Sequence, residues 1–449
     1  MGYSIKATIA CNGACANCYE GAARESAIFS PVYNFKAIVS ALDRIISDER
    51  AEMKAASREK PISDPPVLHG GEPMIIKSSE FEALLRRIHS FWGRTNIQTN
   101  GTLIEAGHFP LFRKYATHVG VSLDGDEPEL NAGRWNAGKP DARRCERMTV
   151  LVAANVRALR RERVETSLMS VLWTHNASAE RLPRFIAFLR RMRDAGIADF
   201  RFHCGVAHGR GPREDELSPG QMGEALCRLA DWSWENPALG VRPVGDFTDL
   251  VLGITDKTCI FNGCDPFLSR AERVIMADGS IGTCLRAPSA IEGLQTLEAD
   301  ARDAVRPDIL RATPYDCGGC ADCEWWHACL GGCPGEGLED DWRNRTRWCA
   351  AYIMAFRYAK RRIKTILPNV RTADEFAPLP ASPRACLASL IKPVRPSAFE
   401  RCAQVAINEA IAAITAPPPT DGSHGDAHGN EHGDKPHGDH GDDSLGVRP

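Results

Sequence analysis

Three cysteines, Cys11, Cys15 and Cys18, stand within eight positions in the stretch CNGACANCY, where Tyr19 follows the last of them. Thiolates at CxxxCxxC spacing can turn three sulfurs toward one inorganic centre. Structural zinc is one candidate, but it ordinarily closes its shell with four protein ligands, and only three are local here. An iron-sulfur cluster held by three thiolates instead leaves one iron open to a further ligand. Downstream, HGGEP (residues 69–73), QTNG (98–101) and VSLDG (121–125) each combine glycine with a carboxylate, amide or hydroxyl. Glycine admits a close backbone approach and a carboxylate complements an ammonium.

A second concentration of thiols lies further on. Nine of the 17 cysteines fall between 255 and 350. Cys320, Cys323, Cys329 and Cys333 follow C-x2-C-x5-C-x3-C, Gly279 and Cys284 supply G-x4-C, and Cys259, Cys264, Cys317 and Cys349 flank them. So many thiols could hold zinc or iron-sulfur centres, and either would help to organise a small domain. Cys145, Cys204, Cys227, Cys386 and Cys402 are isolated and read as small buried apolar residues.

The elements that must position these groups show in the periodicity. Strands are expected at Tyr3–Ala10, Pro66–His69, Thr95–Thr99, His118–Leu123, Val164–Leu172 and Asp199–Cys204. Amphipathic stretches such as FKAIVSALDRIISDER, SEFEALLRRIHSFW, ERMTVLVAANVRALRRER and AERLPRFIAFLRRMRDAG alternate with them as helices. Six β-then-α units predict an α/β fold with a parallel sheet, open or curled into a partial TIM-like barrel. In a barrel, working groups belong on the loops after the strands, and the cysteine triplet, HGGEP, QTNG and SLDG all fall there.

The expected organisation is a barrel over 1–210, a bridge over 211–254, a cysteine-rich domain over 255–350, a helical extension over 351–416 and a tail over 417–449. The tail carries five of the 13 histidines and almost no apolar residues, so it is expected to be disordered and to bind metal loosely. A formal net charge of −3 gives no basic face for nucleic acid. No run of about 18 apolar residues points to a membrane span, and the N-terminus lacks the pattern of a secretory signal. A cytoplasmic protein with reduced thiols is expected, which turns the cysteine count toward metal or redox chemistry and away from disulfides.

CxxxCxxC with Tyr19, followed by Gly70, Gly71, Glu72 and Pro73, resembles the radical S-adenosylmethionine (SAM) superfamily. The resemblance implies a 4Fe-4S cluster on Cys11, Cys15 and Cys18 whose open iron takes the methionine end of SAM. Reductive cleavage of SAM would then give a 5′-deoxyadenosyl radical. It further implies that the GGEP motif holds the SAM ammonium and that Asn100, Ser122 and Asp124 lie near its carboxylate and ribose. Arg134 falls where many members carry an arginine for that carboxylate, although LNAGRW replaces the usual residues ahead of it.

The distal cysteines resemble the SPASM extension, which implies two auxiliary 4Fe-4S clusters, and so three in all. One would sit on Cys259, Cys264, Cys284 and Cys333 and the other on Cys320, Cys323, Cys329 and Cys349, leaving Cys317 surplus. Enzymes of this class act mostly on ribosomally made precursor peptides, forming thioether or carbon-carbon crosslinks or other changes. A further branch oxidises a cysteine or serine of sulfatases to formylglycine. Sulfatase maturases carry an aspartate after the cysteine of G-x4-C, whereas Leu285 stands here, so peptide maturation is the expected activity and sulfatase maturation the alternative. An iron-sulfur electron carrier is the non-enzymatic alternative, and it leaves GGEP, QTNG and SLDG without a role. The expected partners are a precursor peptide and a flavodoxin- or ferredoxin-type reductant. Leader capture is expected to fall to a separate leader-binding protein, the bridge or the C-terminal extension. Trp325, Trp326 and His327 border a peptide channel or pack the small domain, with packing the favoured reading.

Overall fold

Short strands alternating with amphipathic helices build one nine-stranded sheet. The computed structural model describes residues 2–13, 15–19, 33–135, 141–207, 213–254, 258–264, 272–282, 284–285 and 306–375. The chain divides into two compact units, Met1–Phe399 and Glu400–Pro449, and every described residue belongs to the first. The histidine-rich tail, Cys386, Cys402 and the extension beyond 375 lie outside the described residues.

The strands are β1 (Gly2–Lys6), β2 (Val67–His69), β3 (Thr95–Thr99), β4 (Thr117–Ser122), β5 (Thr166–Leu172), β6 (Asp199–Cys204), β7 (Gly240–Arg242), β8 (Glu272–Ile275) and β9 (Ile281–Gly282). Their order across the sheet is β7-β6-β5-β4-β3-β2-β1-β8-β9. From β7 to β8 every pairing is parallel, and only β8–β9 is antiparallel. A run of parallel neighbours in chain order is what repeated right-handed β-α-β units build. The main helices are α1 (Phe35–Ala55), α2 (Ser78–Trp92), α3 (His108–Lys114), α4 (Ala132–Trp135), α5 (Ala142–Arg161), α6 (Leu182–Asp194), α7 (Pro219–Glu235) and α8 (Cys349–Ile366).

The six expected strands form, each within a few residues of its expected ends. Three more appear. β7 and β9 have three and two residues, too short for a period to show. β8 pairs with β1 in register Ser4↔Val274, so the cysteine-rich stretch begins by extending the sheet. The bridge folds largely as α7, started by a capping box in which Ser218 and Gln221 satisfy each other's backbone N–H groups.

β3 and β5 alternate strictly between buried and half-buried residues. Their buried faces join the helices in a core that includes Ile97, Leu168, Val152 and Phe185. The other face is mixed, with Asn96, Gln98, Ser167, Met169 and Val171 half-buried. The cysteine-rich stretch shares this core: Trp325, Trp348, Tyr352 and Phe356 belong to the same cluster as the sheet. Aromatic burial against α7 and α8 thus gives this stretch an apolar base of its own. Trp325 and Trp326 are buried, so packing is their role in this structure. No helix among the described residues is long and apolar enough to cross a membrane.

Candidate active site

The loop after β1 carries the cysteine triplet and is braced by three other strand ends. Gly71 N donates to Thr8 O at 2.7 Å and Glu72 N to Ala10 O at 2.9 Å, so the loop after β2 runs against the backbone leading into Cys11. Both glycines are required by this contact. Gly70 has φ +137°, and a Cβ on Gly71 would sit 2.5 Å from Ile9 O and closer still to Ala10 O. Backbone on both sides leaves no flexible atom to yield.

The Glu72 carboxylate points into the protein and is fully buried. It accepts from Asn100 N at 2.7 Å, Thr99 Oγ1 at 2.8 Å and Met74 N at 3.2 Å. Burial pushes its pKa up to about 6, against the pull of those three donors. The acidic member of HGGEP therefore acts as a strut between the ends of β2 and β3. Asn100, fixed by that strut, directs Nδ2 to Asn12 Oδ1 at 2.8 Å and toward Cys11 Sγ at 3.7 Å. Gly13 N also donates to Cys11 Sγ, at 3.2 Å.

The opposite side of the loop is held by α4. Ala16 N donates to Gly133 O at 2.7 Å, and Arg144 from α5 reaches Asn12 O at 2.9 Å. Arg134 is buried, pairs with Asp124 Oδ1 at 2.8 Å and hydrogen-bonds Cys15. Its Nε, also buried, has no hydrogen-bond partner. Asp124 accepts from Val171 N at 2.8 Å as well, and burial pushes its carboxyl above the ordinary aspartate value against the pull of Arg134. Ser122 Oγ accepts from Gln98 Nε2 at 2.9 Å on the mixed face of the sheet.

Cys15 is pushed up to about 12 by burial, with Arg134 pulling down and Cys18, Cys11 and Asp124 adding to the rise. Burial thus holds Cys15 as a neutral thiol until a positive centre compensates its thiolate. Among the described residues no three His, Cys, Asp or Glu side chains close on a single ion. The triplet and an arginine with a donor to spare suit a larger, anionic cluster with a carboxylate-bearing ligand beside it.

Glu72, Asn100, Asp124 and Arg134 form a set of contacts beside the cysteine loop, with divided duties, while the contact seen for Ser122 is with Gln98 on the sheet. Glu72 and Asp124 are engaged within the protein, while Asn100 and Arg134 touch the thiols. Sequence reasoning missed Thr99, Asn12 and Arg144, which fix the loop, and also His69. Gly70 N donates to His69 Nδ1 at 2.7 Å, burial pushes that imidazole down to about 4, and its ring stands 6.5 Å from that of Tyr19. Only the histidine directly ahead of the glycine pair could have flagged it.

A second set of thiols surrounds a narrow cavity under α8. Cys320, Cys323, Cys329 and Cys349 line it together with Trp325, Trp326 and Arg345, and Cys317 is not among the lining residues. Burial raises all four thiols, Cys320 to about 12, and neighbouring thiols add to the rise in Cys320, Cys323 and Cys329. These four are the ones expected to share a cluster, and their chemistry fits one in the same way. The other expected set comes from separate segments: Cys259 opens a 3-10 turn and Cys264 follows it, Cys284 follows β9, and Cys333 follows Gly331–Gly332. Buried Arg306 draws two of these segments together. It donates to the carbonyls of Gly332 (2.8 Å), Gly331 (3.0 Å) and Cys264 (3.3 Å), and also to those of Trp342 (2.5 Å) and Asn344 (2.8 Å).

No protein-family model matches the sequence. The chain is 26% identical over 278 residues to an uncharacterized protein of Archaeoglobus fulgidus, an alignment covering 60% of this chain and 62% of that one. It therefore spans less than two thirds of this relative. It is 25% identical over 286 residues to a cysteine-type anaerobic sulfatase-maturating enzyme of Clostridium novyi, covering 59% and 71%. Among solved structures, native anSMEcpe with bound AdoMet, that is SAM, superposes with a TM-score of 0.62 at 19% identity, covering 82% of this chain and all of that one. The chain has the radical SAM fold. In that fold the cysteine loop after β1 and the loops after β2, β3 and β4 occupy one edge of the sheet, where the contacts above join them. Structures of anSMEcpe also include one with AdoMet and the Cp18Cys peptide.

Proposed function

We propose that this protein is a radical SAM enzyme that acts on a peptide, with Cys11, Cys15 and Cys18 holding a 4Fe-4S cluster. The observation that carries the reading is the single hydrogen-bonded assembly formed by the cysteine loop, Glu72, Asn100, Asp124 and Arg134. When bound, the cluster would supply the electron that cleaves SAM, and the resulting radical would take a hydrogen atom from the substrate. The chain's own residues hold and orient. Glu72 locks the glycine loop, whose carbonyls are left to meet the SAM ammonium. Arg134 offers its unpartnered Nε to the carboxylate of SAM. Ser122, set by Gln98, and Tyr19 border the nucleoside. The four-thiol cavity is assigned to one auxiliary cluster and Cys259, Cys264, Cys284 and Cys333 to another, with a flavodoxin- or ferredoxin-type protein as reductant.

Leu285 after Cys284 favours peptide maturation. Sulfatase maturation is the second reading, supported by the name of the clostridial relative. The test is anaerobic reconstitution with iron and sulfide, reduction with dithionite, and assay of 5′-deoxyadenosine from SAM. Wild type should produce it and Cys15→Ala should not. A wild-type protein that loads iron yet forms none would overturn the proposal. A cysteine-bearing sulfatase peptide converted to a hydrazide-reactive aldehyde would decide for the second reading.

A further inference from the structure

The cysteine loop reaches solvent at Asn12, which is exposed beside half-buried Cys11. The ground around it is uncharged: Asn12 Nδ2 donates to Thr102 Oγ1 at 2.8 Å, and Leu103 next to Thr102 is half-buried. The first turns of α5 stand at this point, because Arg144 Nη2 donates to Asn12 O at 2.9 Å. Arg147 follows one turn on, with Arg143 one turn before it on the outer face, and both are exposed. Among the described residues no carboxylate pairs with any of these three arginines, whereas Arg157, Arg184 and Arg191 pair with Asp126 and Glu127. Asp141 is engaged at the helix end, where it accepts from Arg144 N at 3.0 Å. Glu146 is exposed, but at about 100° per residue it stands roughly 160° around the helix from Arg144. Past the arginines, Val150 is 61% and Leu151 37% exposed.

We propose that this face of α5, with Arg143, Arg144, Arg147, Val150 and Leu151, receives an acidic flavodoxin-type electron carrier that serves the centre on Cys11, Cys15 and Cys18. Unpaired surface arginines steer an acidic partner toward them, and apolar side chains beside them give the contact a core that water leaves. One electron moves: the carrier's flavin is oxidised by one and the centre is reduced by one, with no bond made or broken in either protein. A flavin edge suits the uncharged ground at Asn12, whereas the anionic cluster of a ferredoxin would face a like-charged centre across it.

The inference rests on the cluster reading of the proposed function, and its test separates the two. Reconstituted wild type, the double variant Arg143→Glu/Arg147→Glu, Leu151→Glu and, as control, Arg228→Glu on the exposed side of α7 are compared by iron content. Calorimetry then gives affinity for oxidised flavodoxin, and stopped-flow absorption gives the rate of reduction by reduced flavodoxin and by dithionite. The double variant should bind flavodoxin about tenfold more weakly and be reduced by it about tenfold more slowly at low salt, a deficit that shrinks as salt rises. Leu151→Glu should also weaken binding, and Arg228→Glu should match wild type. Dithionite, which is small and needs no docking surface, should reduce all four proteins alike. A double variant that binds and is reduced as wild type is, or that loses its iron, would overturn the docking surface. So would an equal loss in Arg228→Glu, or a wild type that a ferredoxin reduces and flavodoxin does not. A wild type that loads iron yet forms no 5′-deoxyadenosine with dithionite would instead overturn the reading beneath it.

Discussion

Replacing Glu72 by glutamine isolates the contribution of one buried charge. Its carboxyl is raised from an ordinary 4.5 to about 6, chiefly by burial. Because the folded value exceeds the unfolded one, the folded state binds the extra proton. Stability from this group is therefore fully present below about pH 4.5 and lost as pH rises through about 6. At 1.36 kcal/mol per pH unit the whole change is about 2 kcal/mol. Glutamine does not titrate, so the stability of wild type relative to Glu72→Gln should fall by about that amount between about pH 4.5 and pH 7.5. A constant offset is added because the amide nitrogen must face one of the three donors now satisfied. That unmet N–H or O–H costs about 1–3 kcal/mol at every pH. Urea unfolding of the iron-free, reduced proteins across this range measures both quantities. A difference that is flat with pH, or that grows as pH rises, would show that the carboxylate is not buried on Thr99 and Asn100 and would remove the strut.

Gly71→Ala should lower stability by about 1–3 kcal/mol through overlap with Ile9 O and Ala10 O, and should reduce iron uptake at the first site because the displaced backbone leads into Cys11. Thermal unfolding and iron content check this. Asp124→Asn breaks a buried pair and should destabilise by about 3–5 kcal/mol; at low temperature, where the variant still folds, SAM affinity measured by calorimetry should fall as Arg134 loses its anchor. Cys323→Ser should remove product formation while sparing much of the SAM cleavage, read by chromatography of 5′-deoxyadenosine beside mass spectrometry of the peptide. Cys317→Ser should leave iron content unchanged, since Cys317 does not line the four-thiol cavity.

Local patterns in the sequence settle a large part of this protein. β-branched residues marked the strands, a period near 3.6 marked α1, α2, α5 and α6, and glycine pairs and cysteine spacing marked the loops, because each signal needs only neighbouring residues. That the sheet is parallel followed from the alternation of strands and helices, whereas the place of β8 beside β1 did not. Other features depend on which distant segments meet, and only packing decides that. Nothing near Glu72 tells that its carboxylate turns inward to Thr99, or near Arg134 that it spans Asp124 and Cys15. The family resemblance implied eight distal ligands in two sets, and only the folded chain brings Cys320, Cys323, Cys329 and Cys349 to one cavity that Cys317 does not line. The stacking of Arg345 on Tyr315 is a further case, because thirty positions of chain separate two side chains that meet only once the loops are folded. Burial, which raises Glu72 and the thiols, is likewise a property of the assembled core and not of any short stretch of chain.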